Sequence, residues 1–112
     1  MQDIEIQEFD NYKVMNLNGD FVGVDEINQL RDEFKELASL PKNKIVINMK
    51  NVSYLNSTAL GALLSANALF EKYGGKILIC NASDYIVNIF SITKLTFIFT
   101  LYNTIEAAVA AL

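Results

Sequence analysis

The sequence contains no histidine and only one cysteine, and these two scarcities exclude most familiar kinds of active site. Without histidine, neither a Ser-His nor a Cys-His nucleophilic pair can be assembled, and transition-metal sites lose their commonest ligand. Cys80 cannot form an internal disulfide, which favours a cytoplasmic location. Because it lies in the apolar run 77–80, we expect a buried core residue and not a reactive thiol.

Long apolar runs, basic patches and glycine-rich loops are also missing. No stretch approaches the roughly 20 consecutive apolar residues of a membrane span, and the acidic, alternating residues 1–5 are unlike a signal or transit peptide. A net charge of −4 argues against a nucleic-acid partner. Neither a P-loop nor a dinucleotide-binding fingerprint occurs, and the pair Gly74-Gly75 is predicted to end a helix.

Carboxylates are present, but their spacing does not indicate an acid–base pair. Several fall on polar positions of one predicted helix, which is typical of a solvated face: Asp25, Glu26, Asp32, Glu33 and Glu36. We therefore expect no catalytic activity, no cofactor and no metal site. The composition favours a binding protein.

The 112 residues, 52% of them hydrophobic, suffice for one core and predict a single domain over residues 1–112. Apolar periodicity predicts strands at residues 4–7, 12–17, 44–48, 76–80 and 97–101, and helices at residues 24–40, 57–73, 84–91 and 105–112. This order predicts an α/β fold. A mixed sheet should carry an antiparallel N-terminal hairpin at one edge, a central strand at residues 44–48, and four helices packed against it.

The junction between the central strand and the second helix is the most informative stretch. Asn56 is predicted to be the N-cap and Ser57 the first helical residue, beside unpaired amides and the positive end of the helix dipole. A phosphate group could be accommodated there at low cost. The simpler interpretation is that Asn56, Ser57 and Thr58 only cap the helix. The predicted buried face of this helix consists of Leu60, Leu63, Leu64, Phe70 and Tyr73.

A strip of small residues follows one side of the same helix. Ser57, Gly61, Ser65 and Ala68 lie away from the leucine face on a helical wheel. Small side chains would allow a partner to approach the helix backbone closely. They would equally allow the helix to pack against another element of its own chain, and the wheel does not distinguish the two.

Residues 45–64, IVINMKNVSYLNSTALGALL, resemble the signature of the STAS domain. They resemble in particular the bacterial anti-sigma factor antagonists, whose motif after this strand is roughly apolar-Asp-Ser-Ser/Thr-Gly-Leu-Gly. Further matches are the turn at residues 17–19, the glycines at 74 and 75, and residues 92–95 before the last strand. The resemblance covers essentially the whole chain and implies the STAS fold.

The resemblance also implies a function. In that family an anti-sigma factor with serine-kinase activity phosphorylates the serine after the Asp, and a metal-dependent serine phosphatase reverses the modification. The unphosphorylated antagonist binds the kinase and so frees the sigma factor. Carried over, the phosphorylated residue is Ser57. Taken with the helical wheel, the resemblance implies partner binding by Asn56, Ser57, Thr58, Gly61, Ser65 and Ala68.

Three positions depart from the family pattern. Asn56 replaces the Asp before the serine, Ala59 replaces a Gly, and Val22 replaces an Asp that follows the second strand. Asn56 can cap a helix, but it cannot accept a proton or supply charge. Two alternatives therefore stay open: a non-phosphorylated STAS adaptor in a signalling or lipid-transport complex, and a small-ligand or nucleotide-binding domain.

Overall fold

A computed structural model describes residues 3–112 as one five-stranded sheet with helices on both faces. The elements are β1 (Ile4–Glu8), β2 (Lys13–Asn18), α1 (Val24–Ser39), β3 (Lys44–Asn51), α2 (Ser57–Lys72), β4 (Lys76–Cys80), α3 (Asp84–Ile92), a 3₁₀ turn (Leu95–Phe97), β5 (Leu101–Tyr102) and α4 (Ile105–Ala110). The strand order is β1-β2-β3-β4-β5, with β1 antiparallel to β2 and all other pairs parallel. The predicted α/β architecture, with its edge hairpin and central third strand, is confirmed.

The main core lies between the sheet and the helices α1, α2 and α3. Alternation along the strands sends Met15, Ile45 and Ile47 to this side, where they join buried side chains of the three helices. The rings of Phe34 and Phe70 meet edge to face between α1 and α2, with centroids 6.3 Å apart. The two helices are thus held side by side over the sheet.

The opposite face of the sheet is covered only in part. The short helix α4 packs against β3, β4 and β5, and Val14, Val46 and Leu78 form a second, smaller apolar cluster on this side. Beyond α4 the face is polar, and side-chain amides bond from strand to strand. Asn81, which directly follows β4, donates to Asn48 of β3 over 3.0 Å, and Asn48 donates to Asn16 of β2 over 2.7 Å. Side-chain hydrogen bonds thus connect β2 and β3 to the end of β4.

The glycine pair ends α2 as predicted. Gly74 has a φ of +73°, the left-handed conformation that glycine adopts without steric cost. The Gly75 amide donates to the Phe70 carbonyl over 2.7 Å, and the Gly74 amide donates to the Glu71 carbonyl over 3.1 Å. This paired bonding is a Schellman motif, and it satisfies carbonyls that the helix leaves free.

Two predicted core positions of α2 are wrong. Leu64 is 37% exposed and Tyr73 is 50% exposed. Tyr73 is the residue that caps α2, where the chain has already left the core. Leu64 lies beside the buried face of α2 and is not part of it. The buried face of α2 is instead completed by Ala59, Ala62 and Ala66.

The predicted strand at residues 97–101 has the wrong bounds. Lys94 adopts a left-handed φ of 63° and opens a 3₁₀ turn, so that only Leu101 and Tyr102 pair with β4. The turn buries Leu95 and Phe99 while Phe97 is 86% exposed. Whether a segment with high strand propensity forms a strand depends on how its side chains pack. Here the burial of these two side chains stabilises the fold more than a longer strand would.

No helix within residues 3–112 combines the length and the apolar character needed to cross a lipid bilayer.

Candidate partner-binding site

The loop between β3 and α2 is held by both ends of one amide side chain. Asn56 has an extended backbone, with φ −87° and ψ 174°, and its Oδ1 accepts a hydrogen bond from the Ala59 amide over 2.9 Å. This is the predicted N-cap. Its Nδ2 also donates to the Val22 carbonyl over 3.1 Å. Asn56 therefore ties the start of α2 to the segment before α1, and its two hydrogen bonds connect all three positions that depart from the family pattern.

Ser57 is the first residue of α2, and its side chain is exposed. Thr58, next in the helix, is exposed as well. A helix of 16 residues presents free amides and the positive end of its dipole here. Within the described chain the Ser57 hydroxyl has no hydrogen-bond partner, so it is available to an enzyme that approaches from solvent.

The small-residue strip also faces solvent. Ser65 and Ala68 are exposed, and Gly61 has no atom within 4 Å of the place where a Cβ would lie. Packing of the strip against another element, which the helical wheel left possible, is therefore absent among residues 3–112. All six residues predicted to bind a partner are at least partly accessible and adjoin one another at the start and along one side of α2.

Asp20, which no sequence motif indicated, also holds this loop. Asp20 Oδ1 accepts hydrogen bonds from the Ser53 amide over 2.9 Å and from the Tyr54 amide over 2.8 Å. A parallel bridge between Phe21 and Leu55 continues the contact. The turn at residues 18–20 is visible in the sequence, but its partner lies more than 30 residues away, so no local signal connects them.

An aromatic pair flanks the site and was likewise missed. The rings of Tyr54, in the loop, and Tyr85, on α3, lie 5.6 Å apart, and both are about half exposed. Exposed tyrosines provide apolar area together with a hydrogen-bonding group, which is why they are common in protein interfaces. The accessible surface thus runs from α2 across the loop to α3.

Nothing in this surface has the form of a catalytic or metal centre. Within residues 3–112, no three His, Cys, Asp or Glu side chains come close enough to hold a metal ion. The carboxylates of α1 that the sequence assigned to a solvated face are exposed or half-buried. This surface contains a hydrogen-bonded loop, an exposed hydroxyl and a strip of small side chains, which together suit recognition by another protein.

Comparisons with known proteins agree with this geometry. The model of the STAS domain family matches residues 3–108. The chain is 28% identical over 92 residues to the anti-sigma-B factor antagonist of Bacillus subtilis (strain 168), an alignment that covers 82% of this chain and 83% of that protein.

Two solved structures illustrate the range of proteins with this fold. The Bacillus cell fate determinant SpoIIAA in its phosphorylated form superposes with a TM-score of 0.74 at 18% identity, over 96% of this chain and 97% of that one. A sulfate transporter family protein from Wolinella succinogenes superposes with a TM-score of 0.76 at 19% identity, over 88% of this chain and 81% of that one. At these identities the structures establish a shared fold.

Proposed function

The chain belongs to the STAS domain family, and from this we propose that it is an anti-sigma factor antagonist, with all 112 residues forming one STAS domain. In this proposal it binds an anti-sigma factor that has serine-kinase activity. Phosphorylation at Ser57 ends the binding, and a serine phosphatase restores it. The chain itself acts in the cytoplasm as a binding protein without catalytic activity, so it regulates transcription through the sigma factor that its partner holds.

The exposed Ser57 at the start of α2 is the observation that carries this proposal. Its position supports modification because a kinase could reach the hydroxyl without any part of the chain moving. The accessible strip Gly61, Ser65 and Ala68 continues from it along α2. A partner docked on that strip would therefore cover Ser57.

Phosphorylation would act on binding and not on folding. A phosphoserine brings roughly −1.5 to −2 charges and three acceptor oxygens at neutral pH. At a helix N-terminus these charges face free amides and the positive dipole end, so the folded domain tolerates them. On a docked surface the same charges must be desolvated. A coupling of ~1–3 kcal/mol would change partner affinity by roughly 5–150-fold.

The test is the affinity of Ser57 variants for the serine-kinase anti-sigma factors of the source organism, measured by calorimetry at fixed salt. We expect Ser57→Ala to bind like the native chain and to resist phosphorylation, and Ser57→Asp to bind at least about fivefold more weakly. Asn103→Asp is the matched control, because it adds the same charge at an exposed position beside α4, on the other face of the sheet. Equal affinities for all variants, with no phosphate on Ser57 in cells, would contradict the switch.

A constitutive STAS adaptor is the second candidate, and the contacts of Asn56 favour it. Its amide donates to the Val22 carbonyl, which a carboxylate in its place could not do. The loop is therefore stabilised without the acid that the family motif has at this position. The likeness to a sulfate transporter family protein fits an adaptor equally well. Partner binding that is unaffected by Ser57→Asp would identify this function.

A further inference from the structure

A groove runs between α1 and α2 on the side of the sheet that carries the candidate site. The middle cavity of the groove, near the centres of the two helices, has a volume of about 120 Å³. Its floor is formed by the buried residues Phe34, Ala62 and Ala66. A second cavity of about 120 Å³ continues it to Asn56 and Thr58. We name this the α1–α2 groove. For comparison, an engineered protein cavity of ~150 Å³ accommodates benzene, so each part has room for one aliphatic side chain.

Two cations stand on the α1 side of this groove. Arg31 lines both cavities, and Lys35 lines the middle one. They are four residues apart on α1, hence one helical turn apart on the same side of the helix. Like charges at this spacing destabilise a helix.

Neither cation forms an ion pair within residues 3–112, where the ion pair found joins Lys42 to Glu8. The carboxylate of Asp32, three residues before Lys35 on α1, lies more than 4.0 Å from both. The α2 side of the groove consists of Ala62, Ser65, Ala66 and Leu69, none of which carries charge. Two adjacent cations that form no ion pair thus border an apolar floor, on a protein of net charge −4.

We propose that the α1–α2 groove is the docking site for an amphipathic helix of the anti-sigma factor, which inserts an aliphatic side chain between α1 and α2 and pairs two carboxylates with Arg31 and Lys35. The inference rests on the proposed function, whose partner it specifies. Carboxylates three or four residues apart on a helix have the spacing of the two cations. The small side chains of α2 allow the incoming helix to approach closely.

The groove also explains how a phosphate at Ser57 would be sensed. The groove ends at Asn56 and Thr58, the residues on either side of Ser57. A phosphate there would repel an incoming acidic helix and would compete for Arg31, the cation shared by both cavities. The same modification would therefore remove the charge match on which docking depends.

The experiment is a charge reversal measured against the anti-sigma factor. We expect Lys35→Glu, and more strongly Arg31→Glu with Lys35→Glu, to weaken binding about tenfold or more and to flatten its dependence on salt. Lys44→Glu is the matched control, because it changes the net charge identically at the exposed start of β3, outside the groove. Its affinity should stay within about twofold of the native value. If the charge reversal impairs folding, the double variant Arg31→Gln with Lys35→Gln replaces it. This variant removes both positive charges without adding negative ones and should also weaken binding.

The outcomes separate the two proposals. If Ser57→Asp weakens binding while the reversals at Arg31 and Lys35 do not, the groove is rejected and the antagonist function stands. Equal losses for Lys44→Glu and Lys35→Glu would likewise reject the groove, because they would indicate a general charge effect. If no anti-sigma factor binds the native chain, both proposals fail.

Discussion

A single side chain, that of Asn56, connects two segments of the chain. Its side chain accepts from the Ala59 amide and donates to the Val22 carbonyl, so it both caps α2 and anchors the loop in front of α1. We expect Asn56→Ala to lower the free energy of unfolding by about 0.5–2 kcal/mol, the usual cost of a lost N-cap. Asn56→Asp keeps the acceptor and loses only the donor, so its cost should be smaller. Urea denaturation measures both.

The exposed Asn88 on α3 provides the comparison for this prediction. Asn88→Ala removes an amide that makes no hydrogen bond in the described chain, and it should change the free energy of unfolding by less than about 0.5 kcal/mol. If Asn88→Ala lowered the free energy of unfolding as much as Asn56→Ala, the loss at Asn56 could not be assigned to its hydrogen bonds.

Cys80 is the other residue whose surroundings determine its chemistry. Burial raises the pKa of its thiol from 9.0 to about 11, and the negative charge of Glu106 adds to the effect. The thiol is fully buried, so we expect negligible reaction with a thiol reagent at pH 7.5 in the folded protein and fast reaction in urea. A folded-state rate equal to the rate in urea would contradict the burial.

The same raised pKa has a consequence for stability. The folded state holds the thiol proton more tightly than the unfolded chain does. Cys80 therefore lowers the free energy of unfolding only at pH values at which the thiol ionises in the unfolded chain. The loss should begin near pH 9.0 and be complete above about pH 11. Comparing the pH dependence of unfolding for the native chain and for Cys80→Ala isolates this contribution, and the variant should have the flatter profile between these two values.

At the element scale, α2 offers a direct test of which face is buried. Leu63 is 1% exposed while its neighbour Leu64 is 37% exposed, although both fit a broad leucine face on the helical wheel. We expect Leu63→Ala to cost roughly 2–5 kcal/mol in the free energy of unfolding. Leu64→Ala, which removes the same atoms, should cost far less. Thermal or urea unfolding of the two variants would refute this packing if the costs were similar.

The two faces of α2 have different roles, one in stability and the other in recognition. Leu63 and the alanines Ala59, Ala62 and Ala66 face the core, while the small residues Ser57, Ser65 and Ala68 are exposed. Substitutions in the exposed set should therefore change binding without unfolding the domain. That separation is what makes the Ser57 and Ser65 side of α2 suitable for a surface regulated by modification.

At the scale of the whole molecule, the two faces of the sheet differ in what they present. Three helices, the candidate site and the α1–α2 groove lie on one side, while the other side has α4 and a polar row of amides. We expect the purified chain to show no intrinsic nucleotide hydrolysis, since its sequence contains neither a P-loop nor a histidine that could activate a nucleophile. Hydrolysis that Ser57→Ala abolishes, in an assay of the pure protein, would overturn this expectation.

Features that depend on neighbouring residues in the chain were predicted from the sequence. Alternation placed the N-terminal hairpin, and the third strand was correctly predicted to be central. Local hydrogen bonding specified the Asn56 cap and the glycine end of α2, because a cap and a Schellman motif each involve residues within one or two turns. For the same reason Ser57 could be assigned to the start of a helix.

Features that depend on contacts between distant segments were decided only by the tertiary structure. Asp20 supports a loop more than 30 residues away, and the cations of α1 meet an uncharged wall of α2 across the groove. Strand propensity at residues 97–101 yielded to the burial of Leu95 and Phe99, and Leu64 was left in solvent because the sheet covers a narrower stripe than the wheel indicated. Periodicity specifies which residues share a face, but only packing against other elements determines how much of that face is covered.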